Sequence, residues 1–365
     1  MKYRYISSDD HMDLCYIPPT MWQDRVPRRF KKAAPKVVKT EKGPVWFREG
    51  ERWGIYGSKR ADGRKVVFDE IGLPEEPEPD VWRPSSAKYR LADMDQDGVY
   101  AQVIYNFLDW SFEDGELKGA CIHAMNDWLA EFVSAAPDRL VSLATLPSTD
   151  AKETLAEVEH VNKLGLRGAI FEIHGATTPI YEPDWDPVWA AASESGLVIS
   201  VHIGGKQNLA QGNVTQDWRS PARTALVGLQ MTEVLAQVIF SGMLERNPNF
   251  KLVLGESGIG WIPYVLERLA FEHKTYGGMV DIPLSMDARD LFKRQMYATF
   301  QEESVGVKLI PDIGVDNVMW AADYPHADGT FPHTEQAVEH IFAGASEDVV
   351  RKATWETAKD VYRIK

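Results

Sequence analysis

The chain has 365 residues, 44% hydrophobic and 26% charged, which is ordinary globular composition. Its formal net charge of −14 argues against nucleic acid as a partner, because phosphate binding needs a basic face. No apolar run approaches the roughly 18 residues of a membrane span, and the opening "MKYRYISSDDHMD" lacks a signal-peptide core, so a soluble, cytoplasmic protein with no membrane partner is expected.

Taken in chain order, the first strand is expected at "YRYISSDDH" (3–11). Residues 14–89 then break the rhythm. They are rich in Pro, Trp, Lys and Glu and read as a long insertion, either a lid or an oligomer surface, whose tryptophans argue for packing. The cysteines, Cys15 and Cys121, lie far apart in no metal-type spacing and are expected as reduced thiols.

From about residue 90, short apolar runs alternate with amphipathic stretches. The runs are 101–106, 140–147, 168–174, 197–205, 251–257, 295–300 and 318–323. Helices are expected at "GACIHAMNDWLAEFVSAA", "AKETLAEVEHVNKLG" and "WDPVWAAASESG". Ser148, Thr149 or Asp150 offers an N-cap to the second of these, and Gly165 a C-terminal cap. Eight continuous apolar strands separated by helices indicate an α/β fold, a (β/α)8 TIM barrel, with residues 1–365 as a single domain that carries the 14–89 insertion.

A parallel barrel places its active site at the C-terminal ends of its strands. There the sequence sets Asp9, His11, Asn106, Glu172, His174, His202, Glu256 and Asp323. Asp9-x-His11 puts two side chains on one side of a strand, because the side-chain period is two. With His202 and Asp323 they form an Asp/His/His/Asp set. Mixed imidazole and carboxylate ligation suits zinc, manganese or iron(II). Arg219 and Arg223, in the loop after the fifth strand, are candidates for binding a substrate carboxylate in bidentate fashion. Arg139 and Asn126 read as structural, and Trp110, Trp218 and Trp261 as pocket or core aromatics.

"ISSDDHMD", "LADMDQDGVYAQVIY", "LGLRGAIFEIHG", "SGLVISVHIGG", "LERNPNFKLVLGESGIGWIPYVLERL" and "VMWAADYPHADGTFP" run in an order that resembles one family. This is the amidohydrolase-related TIM-barrel group that includes aminocarboxymuconate-semialdehyde, resorcylate and carboxyvanillate decarboxylases. The resemblance implies metal ligation by Asp9, His11, His202 and Asp323, one divalent metal with zinc foremost and manganese or iron behind it, and a homodimer. The carboxylated lysine that often bridges two metals in the superfamily has no counterpart in "FEIHG", which leaves one metal, with Glu172 as the residue for a second. Relatives carry a catalytic histidine in "H-x-G-G-x-x-P" after strand 6. Here "GESGIGWIP" puts Glu256 or, counting back from the proline, Ser257 at that place.

The resemblance implies non-oxidative decarboxylation of a small hydroxylated aromatic or unsaturated acid. Glu256, Asp323 and His174 are then the catalytic candidates, and Glu172, His326, Arg219 and Arg223 the substrate contacts. The alternative is a hydrolase or hydratase in which activated water attacks an amide, a lactone or a C–C bond. A third reading, from outside enzymology, is a barrel that only binds a partner.

Overall fold

The computed structural model describes residues 5–41, 43–57, 81–173, 175–204, 218–281, 284–326 and 328–365. β1 (Tyr5–Met12) is buried at every position and leads into the insertion. There α1 (Met21–Arg25) precedes an antiparallel sheet of β2 (Lys36–Thr40), β3 (Gly43–Arg48) and β4 (Glu51–Ile55). The insertion's tryptophans pack. Trp22 and Trp46 are buried edge to face with centroids 5.0 Å apart, and Trp53 and Trp110 extend the cluster.

The remainder alternates. It comprises α2 (Ala87–Asp97), β5 (Val99–Asn106), α3 (Gly115–Ser134), β6 (Leu140–Ser142), β7 (Ala144–Thr145), α4 (Ala151–Leu164), β8 (Gly168–Ile170), α5 (Asp186–Ser195) and β9 (Val198–His202). Then come α6 (Arg219–Val227), α7 (Met231–Phe240), α8 (Met243–Arg246), β10 (Leu252–Gly255), α9 (Ile262–Tyr276), α10 (Ala288–Gln295), β11 (Met296–Phe300), α11 (Ser304–Ile313) and β12 (Val318–Trp320). α12 (Thr334–Ile341), α13 (Glu347–Arg351) and α14 (Thr357–Val361) follow.

Parallel pairing runs β1–β5–β6 and β7–β8–β9–β10–β11–β12. Two joins close this into a ring. β6 and β7 are one strand interrupted at Leu143, whose N–H still donates to the Ile104 carbonyl at 2.9 Å. On the other side, Asp323 N–H donates to the Asp9 carbonyl at 3.0 Å and His11 N–H to the Tyr324 carbonyl at 2.6 Å. With β6 and β7 counted together, eight parallel strands form the barrel.

Side-chain alternation sorts the core into two groups. Ile6, Ala101, Val103, Val141, Val253 and Met319 cluster with Tyr362 and Ile364 near the C-terminus of the chain. Intervening residues such as Ile104 and Leu254 join the larger cluster shared with the helices. Caps fix the helix ends. Of the three residues offered before α4, Asp150 accepts from the Lys152 and Glu153 N–H groups, and Gly165 closes the helix at φ 76°. Cys121 is a buried free thiol, and Cys15 is half-buried. Among the described residues no helix is long and apolar enough to cross a membrane.

Candidate metal centre

β1 delivers Asp9 and His11 to one side of the strand, two residues apart. β9 ends on His202, and its neighbour β10 is followed immediately by Glu256. Asp323 leaves the sheet three residues after β12. Glu256 and Asp323 both hold left-handed backbone, φ 48° and 57°. That conformation is costly for residues with a Cβ and is concentrated at functional sites. Gly255 lets the strands approach closely, since a Cβ there would meet His202 Cδ2 at 2.7 Å.

The two Asp9 oxygens have different surroundings. Oδ2 accepts from the Thr299 hydroxyl at 2.6 Å and from Glu256 N–H at 2.7 Å. Oδ1 is left facing His11 Nε2 at 3.6 Å and His202 Nε2 at 3.5 Å. His202 Nδ1 sits 2.7 Å from the Ile203 carbonyl. That contact puts a proton on Nδ1 and turns Nε2 toward the cluster. Asp323 Oδ1 is 3.0 Å from both His11 Nε2 and His326 Nδ1. The His11 and His326 rings stack at 4.1 Å, and His326 Nε2 reaches Asp13 Oδ2 at 3.1 Å.

These approaches are close enough for charge attraction, yet five buried atoms have no aligned hydrogen bond: Asp9 Oδ1, His11 Nε2, His202 Nε2 and both Asp323 oxygens. Buried, unpaired carboxylate oxygens are expensive. A divalent cation is a partner that satisfies imidazole nitrogens and carboxylates together, and the ligand-type atoms form two triads that share His11, Asp9/His11/His202 and His11/Asp323/His326, each within 4.8 Å, so these residues fit one.

The electrostatics follow from this crowding. Burial alone would lower the His202 pKa, but the Asp9 and Glu256 carboxylates raise it to about 9. Burial also raises Glu256, and with the Asp323 and Asp9 charges beside it the carboxyl is pushed up to about 8. Asp323 is buried, which acts upward, yet His326 and His11 hold it well below the usual carboxylate range.

A buried layer stands behind the ligands. Arg90 donates to the His11 carbonyl at 2.8 Å and to Gln102 at 2.6 Å. Asp10 accepts the Tyr324 N–H at 2.7 Å, and burial pushes its carboxyl up to about 7 against the pull of Arg90. Tyr324 hydroxyl donates to Asp93, which also receives Arg83.

Asp9, Glu256 and Asp323 open onto a cavity of about 390 Å³ walled by Trp261, Phe300 and Gly228, large enough for a substituted benzoate. Glu303 holds the loop at its edge by accepting Ile259 N–H at 2.7 Å and Gly260 N–H at 2.6 Å.

The other expected residues fall as follows. Glu256 Oε2 lies 3.4 Å from His202 Nε2, whereas Ser257 donates its hydroxyl to the Gly258 carbonyl at 2.8 Å. Glu172 follows β8 with its carboxylate against Gly175, and its charge acts on Lys118. Arg219 is exposed and stacks on Trp218, and Arg223 is half-buried on the same helix, whose Thr224 and Val227 line the cavity. His174 lies outside the described residues, as does 58–80 of the insertion. Arg139 is structural, donating to the Tyr100 carbonyl at 2.7 Å, and Asn126 brackets Thr145. Thr299, Arg90 and Glu303 went unnoticed in the sequence. Thr299 carried the same signal as the ligands, a polar residue near the end of an apolar run.

The amidohydrolase family model matches residues 61–364. The gamma-resorcylate decarboxylase of Rhodococcus jostii is 27% identical over 251 residues, covering 62% of this chain and 71% of that protein. In structure, the amidohydrolase map2389c of Mycobacterium avium subsp. paratuberculosis superposes with a TM-score of 0.78 at 20% identity, over 99% of this chain and 100% of that one. The 5-carboxyvanillate decarboxylase of Novosphingobium aromaticivorans, solved with manganese and 4-hydroxy-3-methoxy-5-nitrobenzoic acid, gives 0.67 at 18% identity, over 99% and 97%. With the family match covering most of its length, the chain belongs to the amidohydrolase family.

Proposed function

We propose that the protein catalyses non-oxidative decarboxylation of a small hydroxylated aromatic acid, using one divalent cation held by Asp9, His11, His202 and Asp323. The observation that carries this reading is that five buried ligand atoms without an aligned hydrogen bond lie beside a cavity that also receives Glu256. The decarboxylase relatives support the reaction class.

Asp9, His11, His202 and Asp323 would hold the cation, which would supply Lewis acidity toward the substrate's oxygens. Glu256, which lines the cavity, is the group assigned to give a proton to the ring carbon that bears the carboxylate. The bond to the carboxyl carbon then breaks, its electron pair restores the aromatic ring, and CO2 leaves. Glu256, left as a carboxylate, regains a proton from solvent. His326, tethered by Asp13 and Asp323, contacts the substrate. His174 and Asp323 are assigned to proton handling, and Arg219, Arg223 and Glu172 to contacts with the substrate.

Zinc is the ion we assign, because two imidazoles suit it. Manganese, bound in the Novosphingobium enzyme, is its rival, and elemental analysis separates them. We also propose a cytoplasmic homodimer, whose interface would cover Tyr264 and Phe271, exposed on α9. The barrel and its 14–89 insertion form one domain, with the insertion as a lid.

The test is a screen of hydroxylated benzoates for CO2 release. Glu256→Gln should lower kcat by about 100-fold or more with metal content unchanged. Turnover of amides or lactones without CO2 release would replace this reading with hydrolysis.

A further inference from the structure

On the outside of the barrel, α3 and α4 face each other with two histidines and two carboxylates between them. His123 and Asp127 are four residues apart on α3, and Glu157 and His160 three apart on α4, so each pair shares a helix face. His160 Nε2 lies 2.8 Å from Asp127 Oδ1, and His123 Nδ1 lies 3.1 Å from Glu157 Oε2. The two imidazoles stack with centroids 3.7 Å apart. One ligand-type atom from each of His123, Asp127 and His160 falls within 4.8 Å of the other two.

The cluster is braced from below. Asn126 is fully buried, and its amide donates to Glu157 Oε1 at 2.7 Å and to the Thr145 carbonyl at 2.9 Å. Its own oxygen accepts Thr145 N–H at 2.8 Å. The Glu157 carboxylate is therefore aimed at His123 by a group fixed to the barrel wall. A histidine whose partner is oriented from a buried layer is the arrangement found around metal-ligating imidazoles. The cluster also borders a surface groove of about 490 Å³, which gives an ion a route in. None of its residues belongs to the centre at the barrel mouth.

We propose that His123, Asp127 and His160 form a second divalent-metal site, oriented by Glu157, that takes borderline transition cations such as Zn2+ and staples α3 to α4. Two imidazoles and one carboxylate supply three protein ligands and leave a fourth position for water. The cation takes over the role of the ring protons in balancing Asp127 and Glu157.

The experiment equilibrates the whole chain with buffered Zn2+ and measures bound zinc by elemental analysis. The His123→Asn/His160→Asn double variant should bind one equivalent less than wild type. His340→Asn, an exposed histidine on α12, should bind as much as wild type. Glu157→Gln should weaken this equivalent by about 10-fold. The readout is the difference between wild type and the double variant, so it stands whether or not the barrel-mouth centre holds metal. Equal zinc in the two proteins would overturn the proposal.

Discussion

Asp9 divides its work between its two oxygens. One is fixed by Thr299 and the Glu256 backbone, and the other is left for the cluster. Thr299→Val removes the hydroxyl donor while nearly keeping the shape. It should lower metal affinity by roughly 10- to 100-fold in a chelator competition, with the fold retained by circular dichroism. Asp97, at the end of α2, makes a separate statement about pH. Burial raises its carboxyl to about 6, although the Thr334 hydroxyl, donating at 2.6 Å, pulls it down. Its folded pKa lies above its unfolded one, so folding binds the proton. The stability it contributes is complete below the unfolded value near 3.8 and lost as pH rises through about 6. Wild type should therefore gain on Asp97→Asn, by about 2 kcal/mol at most, between pH 8 and pH 4 in paired thermal melts. A constant gap would contradict it. At this scale His202 and Asp323 were legible because each stands at the end of an apolar run, and Asp9 and His11 because of their two-residue spacing. Arg90 was not, because nothing in a helix pattern says that an arginine is fully buried beneath His11.

At the scale of elements, the loop between β10 and α9 matters most, because it aims Glu256. Glu303, just before α11, grips two of that loop's N–H groups. Glu303→Ala should leave metal content intact and lower kcat by about 10-fold, since a displaced Glu256 loses its alignment. Unchanged kcat would detach the loop from the chemistry. Helices α3, α4 and α5 were readable from period and caps. The last strands were read too long. β8 stops at Ile170 and β12 at Trp320, and after β12 the chain leaves the ladder to bring Asp323 to the site. The antiparallel β2–β3–β4 sheet left no clear trace, since its Lys- and Pro-containing strands are half exposed and lack a clean alternation.

For the whole molecule, eightfold alternation was enough to specify the barrel, because parallel strands need crossover helices and bury both faces. Its closure depends on two backbone hydrogen bonds between β1 and the segment after β12. Those bonds place the Asp9 and Asp323 backbones side by side, so the contacts that close the barrel also bring two site residues together. A bound cation should then stabilise the folded state, and a chelator should lower Tm.

The most direct measurement is metal content in wild type, His202→Ala and Asp323→Asn. Each variant should hold one equivalent less than wild type and release no CO2 from the substrate that wild type turns over. Variants that keep the wild-type metal content, or a wild type that binds none while still releasing CO2, would contradict a metal centre built from Asp9, His11, His202 and Asp323.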